Sequence, residues 1–148
     1  MRISRWMNKL KRFFALDGAG KCLLLRATGW LAVARLMMAL MPFHRLAANL
    51  SAAETSTRYA VDPVVLSNIG RSIAIAANHV PWRSDCFPQT IAARMLLKGY
   101  GYVSTIHLGV DSTGEGDIAG HAWLTCAETV VIGGTELDRY TELHTLTA

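Results

Sequence analysis

The sequence predicts an α+β chain, with helices to about residue 100 and an antiparallel sheet beyond. Three observations carry this. Apolar residues recur at helical spacing in successive stretches up to Lys98. The run Gly99-Tyr100-Gly101 then breaks the pattern. After it, β-branched residues and period-two alternation take over. The chain has 148 residues, 51% apolar and 18% charged. That is enough for one domain with a real core, and it excludes a disordered chain. No fixed-period repeat or low-complexity tract is present.

The front end is basic. Residues 1–50 hold nine Lys/Arg against Asp17, a net of +8, whereas residues 51–148 hold six Lys/Arg and ten acids, a net of −4. Residues 1–18 read as a short amphipathic helix, with Trp6, Leu10, Phe13 and Phe14 between Arg5, Lys9, Lys11 and Arg12. Such a helix can lie on an anionic membrane surface. Residues 19–50 continue as a longer helical stretch, ended or turned near Pro42. Arg26 and Arg35 interrupt the apolar run, which argues against a transmembrane span and for helices packed on the rest of the protein. The expected organisation is a basic helical segment over residues 1–50 packed on a core over residues 51–148.

Residues 51–58 are small and polar and read as a linker. Asp62 can then cap a helix with Pro63 in its first turn, and Val65, Ile69, Ile73 and Ala76 supply its buried stripe. Asn78 and Pro81 stop it. A second cap, Ser84 or Asp85, opens the next helix, with Pro88 in the first turn and Ile91, Ala92, Met95 and Leu96 facing inward. Gly99 is the expected left-handed residue behind Lys98. Residues 102–110 read as a strand, 111–120 as a Gly-rich acidic loop, and 121–126 as a strand. In that strand His121, Trp123 and Thr125 alternate with Ala122, Leu124 and Cys126. A turn at Ala127-Glu128 leads to a third strand over residues 129–134, with a last turn or strand to follow.

Cysteine and histidine usage narrows the chemistry. Cys22, Cys86 and Cys126 form no CxxC pair, and the five histidines form no HExxH, so neither a zinc cage nor a disulfide framework is indicated. A sparse, odd set suits a reducing, cytoplasmic compartment. Cys86 falls in the first turn of its helix, where free N–H groups and the helix dipole stabilise a thiolate. If the sheet face that meets this helix bears His121, imidazole and thiol can meet across the seam as an activated nucleophile. His107, one strand back, is the rival base. Otherwise Cys86 is a small buried hydrophobe and His121 a half-buried structural histidine.

Cys86 opening an apolar helix, the segment IHLGVDSTGEGDIAGHAWL and the histidine of GHAW resemble the transglutaminase-like cysteine peptidases of lasso-peptide biosynthesis, the leader peptidases. The basic apolar N-terminal helices resemble their stand-alone form. The resemblance implies a papain/transglutaminase-like core, the Cys-bearing helix packed on a small antiparallel sheet bearing the His. It implies cleavage of a leader from a ribosomally made precursor, with Cys86 as nucleophile and His121 as general base. It also implies two partners: a small winged-helix leader-binding protein and an ATP-dependent macrolactam synthetase. The peptidase itself needs no cofactor, metal or nucleic acid. The family commonly carries Asp about twelve residues after the histidine. Here that position is Gly133. Asp85, Glu128, Glu136 and Asp138 are the available carboxylates, and a backbone carbonyl can hold the imidazole's Nδ1–H instead. The Cys86 backbone N–H, with Gln89 or Ser84, is the expected oxyanion donor set. The alternative is a non-catalytic peptide-binding module of the same fold.

Overall fold

The computed structural model describes residues 17–51, 59–111, 120–135 and 137–147. The opening amphipathic stretch, most of the polar linker, the Gly-rich loop interior and Glu136 lie outside them. Four helices come first: α1 (Gly18–Leu40), α2 (Phe43–Ser51), α3 (Pro63–Ala77) and α4 (Cys86–Gly99). Four strands follow: β1 (Thr105–Asp111), β2 (Gly120–Cys126), β3 (Thr129–Ile132) and β4 (Tyr140–Thr147). The fold is α+β, with helices on one face of an antiparallel sheet of order β3-β2-β1-β4.

Local signals explain the helix starts. The Asp17 carboxylate accepts from Gly20 N–H at 2.8 Å and the Asp62 carboxylate from Val64 N–H at 2.8 Å. Each satisfies an N–H that has no intrahelical partner. Asp85 is the N-cap of α4, with extended backbone but no side-chain capping bond. Helix α4 runs through Gly99. Tyr100 follows in helical conformation, and Gly101 rather than Gly99 takes the left-handed backbone, with φ 75°. The helix therefore ends two residues later than the glycine pattern suggests.

The core lies between helices and sheet. Leu31 of α1, Ile69 and Ile73 of α3 and Leu96 and Leu97 of α4 have no exposed surface, and Ile106 and Leu124 meet them from the sheet. Burying each such side chain is worth about 1.5–3 kcal/mol. One cation enters this core. Arg94, 4% exposed, donates to the Leu146 carbonyl at 2.8 Å and to the Leu50 carbonyl, tying α4 to β4 and α2. Burial lowers its pKa to about 10, which leaves it charged at neutral pH.

The sheet is not a simple meander. The Ala127-Glu128 turn, with φ 46° and 64°, closes the β2–β3 hairpin as a type I′ turn does. The chain then passes a short 3₁₀ turn (Leu137–Arg139) and returns to the far edge, where β4 pairs with β1. The β1–β2 register pairs Ile106 with Leu124, Leu108 with Ala122 and Gly109 with His121. Ile106, Leu124 and Cys126 belong to the helix-packed core, so the inner face is the Ala122, Leu124, Cys126 set. His121, Trp123 and Thr125 occupy the outer face. Alternation turns odd-numbered β2 residues away from the helices, so the face that meets them is not the one that bears His121.

Candidate active site

Cys86 is the first residue of α4 and is half-buried, with a free thiol. The helix axis brings it to the end of the sheet where β1 finishes and β2 begins. There it shares a groove of about 330 Å³ with His121. Phe87, Leu108, Val110, Ala122 and Leu143 make the remaining wall apolar, and Gly109 and Gly120 carry no side chain to close it. The groove therefore draws on both sheet faces at this end. No hydrogen bond joins the Cys86 thiol to the imidazole among the described residues.

His121 is held firmly on its own strand. Its Nε2 lies 2.8 Å from the Gly133 carbonyl oxygen. A carbonyl can only accept, so Nε2 carries a proton, and Nδ1 is the ring nitrogen left to exchange one. The backbone-carbonyl partner foreseen for Nδ1 is present, but on the other ring nitrogen. Tyr140 stacks on the imidazole with centroids 4.6 Å apart, and Trp123 lies 6.1 Å away. Gly133 is suited to this role, with φ 77° and only 2.6 Å between a hypothetical Cβ and the Ala122 carbonyl oxygen. Any larger residue would have to displace the carbonyl that holds His121.

The named carboxylates go elsewhere. Asp85 faces Arg83 at 3.7 Å, Glu128 sits exposed in the hairpin turn, and Asp138 is exposed in the 3₁₀ turn. None hydrogen-bonds His121, and Glu136 lies outside the described residues. Gln89 donates from Nε2 to the Ser84 carbonyl at 2.7 Å, which commits one N–H to the chain before the helix. The Cys86 backbone N–H opens the helix, where no intrahelical partner exists. The Ser84 hydroxyl and the Trp82 indole N–H are buried without a hydrogen-bond partner.

His107, the rival base, has both ring nitrogens engaged. Nδ1 meets the Glu142 carboxylate at 2.5 Å and Nε2 the Thr125 hydroxyl at 2.8 Å, while the ring stacks on Trp123 at 5.2 Å. This outer-face arrangement was not foreseen, because Glu142 reaches β1 through a pairing with no local signal. Cys126 lies in the core, where burial raises its thiol pKa. Among the described residues no three His, Cys, Asp or Glu side chains cluster as a metal cage would require.

An α+β fold whose sheet-backing helix opens with a free cysteine, beside a strand histidine, has the layout of enzymes that use a thiol nucleophile. The family model of the transglutaminase-like superfamily matches residues 28–145, and the chain belongs to that superfamily, which includes cysteine peptidases. No curated protein and no solved structure matches the chain significantly.

Proposed function

We propose that the protein is a cysteine peptidase that removes the leader from a ribosomally synthesised lasso-peptide precursor. The observation that carries the reading is the groove shared by the helix-start Cys86 and the anchored His121. Family membership supports the chemistry, and the Cys…GHAW pattern supports the narrower substrate.

Nδ1 of His121 takes the thiol proton, because Nε2–H is committed to Gly133. The thiolate attacks the scissile carbonyl and forms the Cys86–acyl bond. The C–N bond breaks as Nδ1–H delivers its proton to the leaving amine. Water, deprotonated by Nδ1, then hydrolyses the thioester and frees the thiol. The Cys86 backbone N–H steadies the oxyanion. Catalytic hydrogen bonds are often long before substrate arrives, so the missing thiol–imidazole bond suits a free enzyme.

In this reading a separate winged-helix protein delivers the leader and an ATP-dependent macrolactam synthetase closes the ring, in the cytoplasm. Incubating precursor with the protein and its delivery partner and weighing the products tests it. The wild type releases leader, and Cys86→Ala binds precursor without cutting. A Cys86→Ala variant that cuts at the wild-type rate refutes the assignment. The absence of a carboxylate on His121 favours one second reading, a peptide-binding module that never cuts. Precursor that stays intact with the wild type under the same conditions supports that reading.

A further inference from the structure

We infer that the outward face of α1 docks on the surface of an anionic lipid bilayer. Leu25, Val33, Leu36 and Leu40 are 64%, 40%, 57% and 74% exposed, and all fall on one side of the helix. At about 100° per residue they form a stripe, with Arg26 on one border and Arg35 on the opposite one. Both arginines are exposed. From Cys22 to Leu40 the stripe runs about 27 Å at about 1.5 Å per residue. Phe43, 56% exposed, extends it onto α2.

Two observations choose the bilayer over other occupants. The first is charge complementarity, since α1 carries Lys21, Arg26 and Arg35 and no acidic residue. An apolar stripe with arginines on both borders places its guanidinium groups at phosphate level when the stripe sinks into the acyl boundary. The second concerns the opposite side of α1. Ala27, Leu31 and Ala34 have no exposed surface and are part of the core. The helix is long and apolar enough to cross a membrane, but crossing would pull that side out of the core. The stripe also leads to the groove. The Phe43 ring packs 6.0 Å from Phe87, which lines the groove beside Cys86. Docking would therefore hold the groove mouth near the membrane surface, whatever reaction occurs there.

The test is sedimentation of the full chain with vesicles of equal parts phosphatidylglycerol and phosphatidylcholine, against phosphatidylcholine alone. The wild type pellets with the anionic vesicles. Leu25→Glu with Leu36→Glu reduces its partitioning at least about tenfold, with an unchanged circular dichroism spectrum, because both side chains are exposed. Arg26→Gln with Arg35→Gln removes roughly 10- to 30-fold of the anionic preference. The inference is overturned if the wild type stays in the supernatant, or if the Leu25/Leu36 variant pellets as well as the wild type. Loss of binding on Phe13→Glu with Phe14→Glu, and not on the α1 changes, moves the contact to the first residues and also overturns it. Retention through an alkaline carbonate wash indicates spanning, and a lipid-indifferent dimer in sedimentation equilibrium indicates a second copy. Each of those results overturns it too.

Discussion

The two faces of the β-sheet are made from the same strands and have opposite chemistry. The inner face offers Ile106, Leu124, Cys126 and Leu146 to the helices, all nearly or fully buried. The outer face carries His107, His121, Trp123, Tyr140 and Glu142, stacked ring on ring and joined by polar contacts. The inner face holds the fold together and offers no reactive group except a buried thiol. The outer face concentrates the proton-carrying side chains. The groove sits at the sheet end, where a helix-borne cysteine from the inner side comes beside a histidine strand from the outer one. Stability and chemistry can therefore be changed separately, by alternate residues of β2.

The largest effect is expected at the base. His121→Ala should lower leader release by about 10²- to 10⁴-fold, the usual contribution of a general base. His107→Ala should cost less than about tenfold. The same precursor digestion, followed over time, reads both, and the reverse order would assign the base to His107. On the inner face, Leu124→Ala should lower unfolding free energy by about 2–5 kcal/mol, because the side chain has no exposed surface. Urea denaturation gives that value. A loss under about 0.5 kcal/mol would mean that this face does not carry the core.

Gly133→Ala sharpens the link between the faces. A Cβ there meets the Ala122 carbonyl oxygen at 2.6 Å and needs a φ that alanine disfavours. The strain should cost about 1–2 kcal/mol of stability. Turnover should fall at temperatures where the variant stays folded. Unchanged turnover would show that the Gly133 carbonyl does not orient His121. The smallest effect is expected at Glu142→Gln. Its partner His107 is half-buried but Glu142 is 45% exposed, so solvent screening limits the loss to at most about 1 kcal/mol.

How much of this was legible in the sequence follows from the range of each signal. Caps are local, so Asp62-Pro63 and the start at Cys86 could be read directly. The hairpin turn at Ala127-Glu128 is equally local. Alternation in β2 gave the two faces correctly, but not which of them the helices cover. The signal was the apolar character of Ala122, Leu124 and Cys126 against His121, Trp123 and Thr125. The β4–β1 pairing joins residues from 29 (Asp111 with Tyr140) to 42 (Thr105 with Thr147) positions apart, and no short pattern announces it. Without it, neither the Tyr140 stack on His121 nor the Glu142 contact with His107 could be foreseen. Arg94 lies outside the expected stripe of Ile91, Ala92, Met95 and Leu96, and only the two carbonyls from distant elements make its burial tolerable. The missing carboxylate at position 133 was visible at once. That the same residue's carbonyl takes its place on Nε2 is a fact of backbone geometry.

The pairing of Cys86 with His121 is read directly by the rate of iodoacetamide alkylation at each cysteine near pH 7, followed by peptide mass mapping in wild type and His121→Ala. A thiol paired with His121 should make Cys86 react fastest and lose about tenfold or more in the variant. Cys126, whose pKa is raised by burial, should stay unmodified in both. A Cys86 that reacts no faster than Cys22, or at the same rate with and without the imidazole, would contradict the account.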